Sequence, residues 1–168
     1  MDSRSSASRR ALYSGGVNAL TDPADWSIVL ATLLVTSVII GLHYEVLRHC
    51  ISYLPAVTQR RRRRVVFLIL IILLTHIAEI WVYGISYFVL LQWDFFGSLN
   101  GQAEISALVD YVYYSTVVYT TVGFGDLVPT GAIRFMSGME ALTGLVMITW
   151  SASFTFLEMQ RDWRVSHD

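Results

Sequence analysis

Three stretches of the chain are almost continuously apolar, and the polar residues between them come in runs too short to build a core of their own. The first runs from Ser27 to Leu42. At 1.5 Å per residue it covers about 24 Å, a little short of a bilayer core, with Trp26 placed as an interfacial anchor. Asp22 can cap and Pro23 can fill the first turn of a helix, so one is expected to start there, after a polar lead over 1–25. Past Leu42, Glu45, Arg48, His49 and Ser52 share one helical face, while Tyr44, Leu47, Ile51 and Leu54 share another. The helix is therefore expected to continue as an amphipathic extension, making a first element over 26–54. A second apolar run starts at Val65 and a third at Ile133, neither containing proline. Each is long enough to cross with some tilt, giving a helix over 65–92 and, after a turn, another within 127–160.

The segment between the second and third runs is too polar to span. It predicts a turret over 93–107, then a short helix over 108–119, with Asp110 in the first turn where the dipole favours an acid. A segment that enters and leaves on one side is a re-entrant loop, so the chain crosses three times. Composition agrees: of 168 residues, 54% are apolar and 15% charged, well under the roughly 25% charge of a soluble domain. All twelve basic residues are arginine, and five form the block Arg60, Arg61, Arg62, Arg63 and Arg64. In a short connection over 55–64, that block marks the cytoplasmic side and sends the N-terminus outside. Arg161 and Arg164 in the tail over 161–168 fall inside as well. Orientation accounts for the block; contact with anionic lipid headgroups is the sharper reading. The single cysteine, Cys50, excludes an intrachain disulfide framework. The first residues lack the apolar stretch of a secretory signal.

After the short helix comes Thr120-Thr121-Val122-Gly123-Phe124-Gly125-Asp126. Two glycines flanking one residue permit backbone dihedrals that L-residues avoid, so successive carbonyls can point the same way and replace the water shell of a cation. A lone Gly-x-Gly is usually a turn, and a nucleotide loop would need a preceding strand. A short helix whose negative dipole end meets the motif, set between two spans, fits a pore instead.

Over about Val65 to Leu157, and specifically in TTVGFGD, the sequence resembles the potassium-channel pore family. The resemblance implies an all-α membrane protein with three transmembrane helices, a re-entrant pore helix and a selectivity filter, assembled as a homotetramer. It implies K⁺ sites at the carbonyls of Thr121, Val122, Gly123 and Phe124 with the Thr121 hydroxyl, and an outer mouth at Gly125 and Asp126. Pro129 and Arg134 fit the family's turn into the inner helix, and Gly144 matches its hinge glycine. Glu140 is similar to a glutamate of prokaryotic members, which places the protein in a bacterial inner (plasma) membrane. Leu145, Ile148, Ala152 and Phe156 would face the pore, the last two as the constriction.

The departures matter too. Phe124 stands where the family more often has tyrosine, and Val117 where some members carry a carboxylate; Tyr113 and Tyr114 replace two tryptophans. Support for the filter is expected from Tyr114 and Asp126, next to Thr120 and Val117. The leading helix is absent from the simplest members. Without regularly spaced arginines in a span, a voltage sensor is not expected.

Ionisable groups at membrane depth are functional candidates, because hydrocarbon cannot solvate their charge. His76, Glu79 and Glu140 are the candidates for sensing protons; the plainer reading is that they bond neighbouring helices. Counting rises from each span's midpoint pairs His76 with Thr36 or Ser37, and Tyr83 with Glu140. The expected function is a subunit passing K⁺ down its gradient, with K⁺ as cargo, no organic cofactor and no nucleic-acid partner. A weakly selective cation pore and a non-conducting subunit of the same fold are the alternatives. No nucleophile, base and oxyanion set can be assembled for an enzyme.

Overall fold

A computed structural model describes residues 23–57, 61–101, 105 and 107–164, with side chains over 26–53, 63–101, 105 and 107–160. Most of the expected polar lead, and Arg60, lie outside the described residues. Among the described residues there are four α-helices: α1 (Pro23–Val57), α2 (Arg61–Leu90), α3 (Leu108–Tyr119) and α4 (Ile133–Arg164). Three of them contain stretches of 28 residues apolar enough to cross a membrane, Trp26–Tyr53, Arg63–Leu90 and Ile133–Gln160. Each is about 42 Å long, more than a hydrocarbon core requires. The chain is a mostly helical, multi-pass membrane protein.

The first span is longer than its apolar run. Beyond Leu42 the helix keeps its register: the Ser52 hydroxyl donates to the Arg48 carbonyl at 3.2 Å, and Arg48 Nε donates to Glu45 at 3.0 Å. α1 continues through Pro55 to Val57. The arginine connection expected over 55–64 is correspondingly short. Arg61 to Arg64 form the first turn of α2, and residues 161–164 of the expected tail are still helical.

An all-helical chain was expected, and here the structure differs. The turret folds into a 3-10 turn at Asp94–Phe96 and a strand β1 (Ser98–Gly101), which pairs antiparallel with β2 (Leu127–Thr130). Ser98 stands opposite Thr130 and Gly101 opposite Leu127. The two glycines at the ribbon's base explain the approach. Gly97 and Gly131 have φ of 108° and 74°, and a Cβ on Gly131 would lie 2.8 Å from the Gly97 Cα.

Inside a bilayer, apolar contact between helices gains little over contact with lipid, so close backbone approach and polar bonds must hold the bundle. α3 packs on α2 at Gly84, where a Cβ would come within 2.8 Å of Val112. It packs on α4 at Gly144, where a Cβ would strike the carbonyl of Tyr119. Around these contacts Ile28, Ile39, Tyr83, Tyr87, Tyr119, Ile133 and Met136 are fully buried. A second cluster, Leu47, Cys50, Leu68 and Ile72, joins α1 to α2.

Candidate functional site

The site begins where α3 ends. Three backbone bonds use the carbonyls of its last turns: Thr120 N–H to Thr116 at 3.2 Å, Thr121 N–H to Val118 at 2.9 Å and Gly123 N–H to Val117 at 3.2 Å. They draw the loop back under the helix and satisfy groups a helix terminus would leave open. Val117, expected among the supporting residues, therefore acts through its main chain. Within the loop Thr121, Gly123 and Gly125 have φ of 59°, 56° and 77°, while Val122 and Phe124 do not share that sign. Every second residue from Thr121 to Gly125 is thus left-handed. For threonine such a φ costs about 1–2 kcal/mol. Residues 120–126 are all exposed in the single chain, Phe124 by 70%.

At the other end of the loop, the Tyr113 hydroxyl donates to Asp126 Oδ2 at 2.7 Å. This bond holds the Tyr113 phenol above the ordinary tyrosine range. Of the two adjacent tyrosines, Tyr113 and not Tyr114 bonds Asp126. Adjacent helical residues diverge by about 100°, so Tyr114 turns inward and bonds Ser137 at 2.7 Å. Burial pushes its hydroxyl up to about 12, which keeps it a donor. Asp110, in the first turn of α3, accepts from the Ala107 N–H at 2.9 Å and secures the helix start.

Two buried polar knots tie the helices behind the loop. In one, Glu140 on α4 accepts from Tyr87 of α2 at 2.6 Å and meets Ser115 of α3 at 2.5 Å. Ser115 also lies 2.9 Å from the Ile80 carbonyl. In the other, Glu79 on α2 accepts from His43 Nδ1 of α1 at 2.8 Å, from His76 Nδ1 at 3.1 Å and from the Tyr119 hydroxyl of α3. His43 Nε2 reaches Ser151 Oγ of α4 at 3.0 Å, so this knot joins all four helices. Burial, then the bond to Glu79, push the Tyr119 hydroxyl up and keep it protonated. His43 and Glu79 are fully buried.

These knots correct both expected pairings. His76 bonds Glu79 and Tyr119, not Thr36 or Ser37; Thr36 pairs with Tyr83 at 3.0 Å, and Ser37 donates to the Leu33 carbonyl at 2.7 Å. Truncating the first span at Leu42 had moved its midpoint toward the N-terminus, which hid His43. Glu140 pairs with Tyr87, one helical turn beyond Tyr83. The three candidate sensors accordingly separate: His76 and Glu79 share a knot, and Glu140 belongs to the other.

A family model described as ion channel matches residues 65–161, more than half of the chain. The chain belongs to the ion channel family. No curated protein and no solved structure matches it. The matched region of the channel takes in α2, α3, the loop, the ribbon and nearly all of α4. It leaves α1 outside, although α1 supplies Thr36 and His43 to the channel's interior.

Along α4 the helix passes Gly144 without interruption. Contact with the Tyr119 carbonyl requires a glycine there on packing grounds alone. Leu145, Ile148, Ala152 and Phe156 are exposed in the single chain. From the arginine block, Arg63 is exposed, whereas Arg64 donates to Glu158 of α4 at 3.0 Å. His43, Tyr87, Tyr113, Ser115, Tyr119, Ser137 and Ser151 are bonding partners that sequence reasoning missed. An ionisable residue one position beyond the apolar run was the available signal for His43; the tyrosines and serines gave none, because such residues are ordinary both in an apolar span and in the short helix.

Proposed function

We propose that the chain is the subunit of a K⁺-selective channel in which four copies surround a fourfold axis. α3 is the pore helix, and residues 121–125 contribute one of four filter strands. The backbone carbonyls of Thr121, Val122, Gly123 and Phe124, with the Thr121 hydroxyl, replace the hydration shell of a dehydrated K⁺, and Gly125 and Asp126 shape the outer mouth. The alternation of left-handed φ at Thr121, Gly123 and Gly125 carries this reading. A single strand exposes its loop and cannot ring an ion, which is the reason for a closed assembly of four copies. α4 lines the pore below the filter, with Ala152 and Phe156 at its constriction. The end bearing Arg63 faces the cytoplasm and anionic lipid, with the N-terminus outside.

Purified protein in liposomes tests the reading directly. A K⁺ gradient is expected to drive flux that an equal Na⁺ gradient does not, with chemical cross-linking ending at four chains. Equal K⁺ and Na⁺ flux would refute selectivity, and absence of any flux from a folded tetramer would refute conduction.

A further inference from the structure

The knot around Glu79 contains more metal-ligating chemistry than a helix clamp needs. One ring nitrogen each of His43 and His76 and a Glu79 carboxylate oxygen lie within 4.8 Å of one another, contributed by α1 and α2. A tetrahedral ion with bonds of about 2.0–2.1 Å sets its ligands about 3.3 Å apart. His43 Nδ1 and His76 Nδ1 already stand 2.8 and 3.1 Å from the two Glu79 oxygens. Each imidazole thus already reaches the carboxylate through a different oxygen, and a turn of the carboxylate with an approach of the two rings closes the set on one ion. Two imidazole nitrogens and one carboxylate oxygen suit a borderline ion such as Zn²⁺; Ca²⁺ and Mg²⁺ prefer oxygen shells.

We propose that His43, His76 and Glu79 form a binding site for a divalent transition-metal ion of the zinc type, buried where α1 and α2 meet the end of α3. The surroundings supply what such a site requires besides ligands. A ligating histidine needs a partner on its other ring nitrogen to fix its tautomer. His43 has one in Ser151 Oγ, 3.0 Å from Nε2. In the metal-free knot the His43 proton sits on Nδ1, facing Glu79, and Ser151 donates to Nε2. When the metal takes Nδ1, the proton sits on Nε2 and the Ser151 hydroxyl accepts instead. His76 is the ligand with outward access, its side chain 15% exposed. It opens onto a cavity of about 350 Å³ between α2 and α4, whose wall also carries Ser151, Thr155 and Met159. That cavity is the way in, and a water molecule entering with the ion would complete the coordination.

Occupancy would be felt at the filter. Tyr119 is the last residue of α3, two positions before Thr121, and its hydroxyl bonds both Glu79 and His76. A metal ion on those two groups competes for that bond and frees the end of α3.

Titration of the full-length detergent-purified protein with ZnCl₂ by calorimetry is expected to give one ion per chain at micromolar concentration, with none for MgCl₂ or CaCl₂. Co²⁺ in place of Zn²⁺ is expected to show the visible d–d bands of a four-coordinate site with nitrogen ligands. His43→Gln and His76→Gln should each weaken binding at least tenfold. Ser151→Ala, which keeps all three ligands and removes only a hydroxyl, should weaken it about 10–100-fold and serves where a histidine variant fails to assemble. No Zn²⁺ heat and no Co²⁺ bands in the wild type, or Zn²⁺ affinity unchanged in every folded variant, overturns the site. Zn²⁺ is further expected to lower K⁺ flux in the wild type and not in His76→Gln. That last measurement depends on the proposed conduction, whereas the calorimetric and spectroscopic ones do not.

Discussion

Tyr113 donates its hydroxyl to Asp126 across the loop, at 2.7 Å, and joins the first half of α3 to the loop's last residue. The contact spans the proposed filter from outside, as the bonds from Thr121 and Gly123 to the end of α3 do from below. Tyr113→Phe removes the donor and leaves the ring. It is expected to shorten single-channel openings without changing tetramer yield. Because Asp126 holds the phenol above the ordinary tyrosine range, the bond persists through neutral pH and is lost as pH rises through that raised value. Wild-type open times independent of pH from about 6 to 9, below the unperturbed tyrosine value of about 10, are therefore expected if this bond sets them.

Gly123→Ala isolates backbone conformation from packing. A Cβ there meets nothing within 4 Å, yet φ is 56°. The cost is the left-handed penalty of about 1–2 kcal/mol. Liposome flux should lose its preference for K⁺ over Na⁺ while membrane insertion and helix content stay at wild-type levels. A retained preference would remove the basis for placing the ion sites here.

Gly144→Ala makes the opposite separation. Helical dihedrals accommodate alanine, but its methyl would strike the Tyr119 carbonyl. Overpacking of this kind costs about 1–3 kcal/mol. Lower thermal stability of the tetramer in detergent is expected, with a displaced α3 and reduced flux. A hinge role alone would instead leave thermal stability unchanged.

Glu140 distinguishes hydrogen bonding from charge. The Ser115 hydroxyl has one proton and two neighbours, the Ile80 carbonyl and Glu140. Glutamine can accept from Tyr87 and donate to Ser115, so Glu140→Gln should assemble like wild type. Glu140→Ala removes the close acceptor of the buried Tyr87 hydroxyl, at about 1–3 kcal/mol, while Ser115 keeps the Ile80 carbonyl. Its tetramer yield should fall well below that of the glutamine variant.

The local pattern was enough for the elements that a membrane enforces. A bilayer demands long apolar helices with internally bonded backbones, so the spans starting near Trp26, Val65 and Ile133 could be seen in hydropathy alone. The short helix at Leu108–Tyr119 was visible with both bounds, because polar residues and the Gly-x-Gly motif bracket it. The same motif pointed to the loop where left-handed dihedrals occur at Gly123 and Gly125. Thr121 shares their conformation with no signal in its residue type, since the neighbouring bonds to α3 impose it. Strands of four residues containing Asn100, Gly101 and Pro129 carry too little alternation to be seen, and they pair only because Gly97 and Gly131 let the backbones meet. Which tyrosine holds Asp126, and which carboxylate each hydroxyl serves, depends on rotation about a helix axis and on axial shifts of one turn. Hydropathy is nearly blind to both. The meeting of His43 with Glu79, His76, Tyr119 and Ser151 needs four helices in one place, and only their packing brings these residues together.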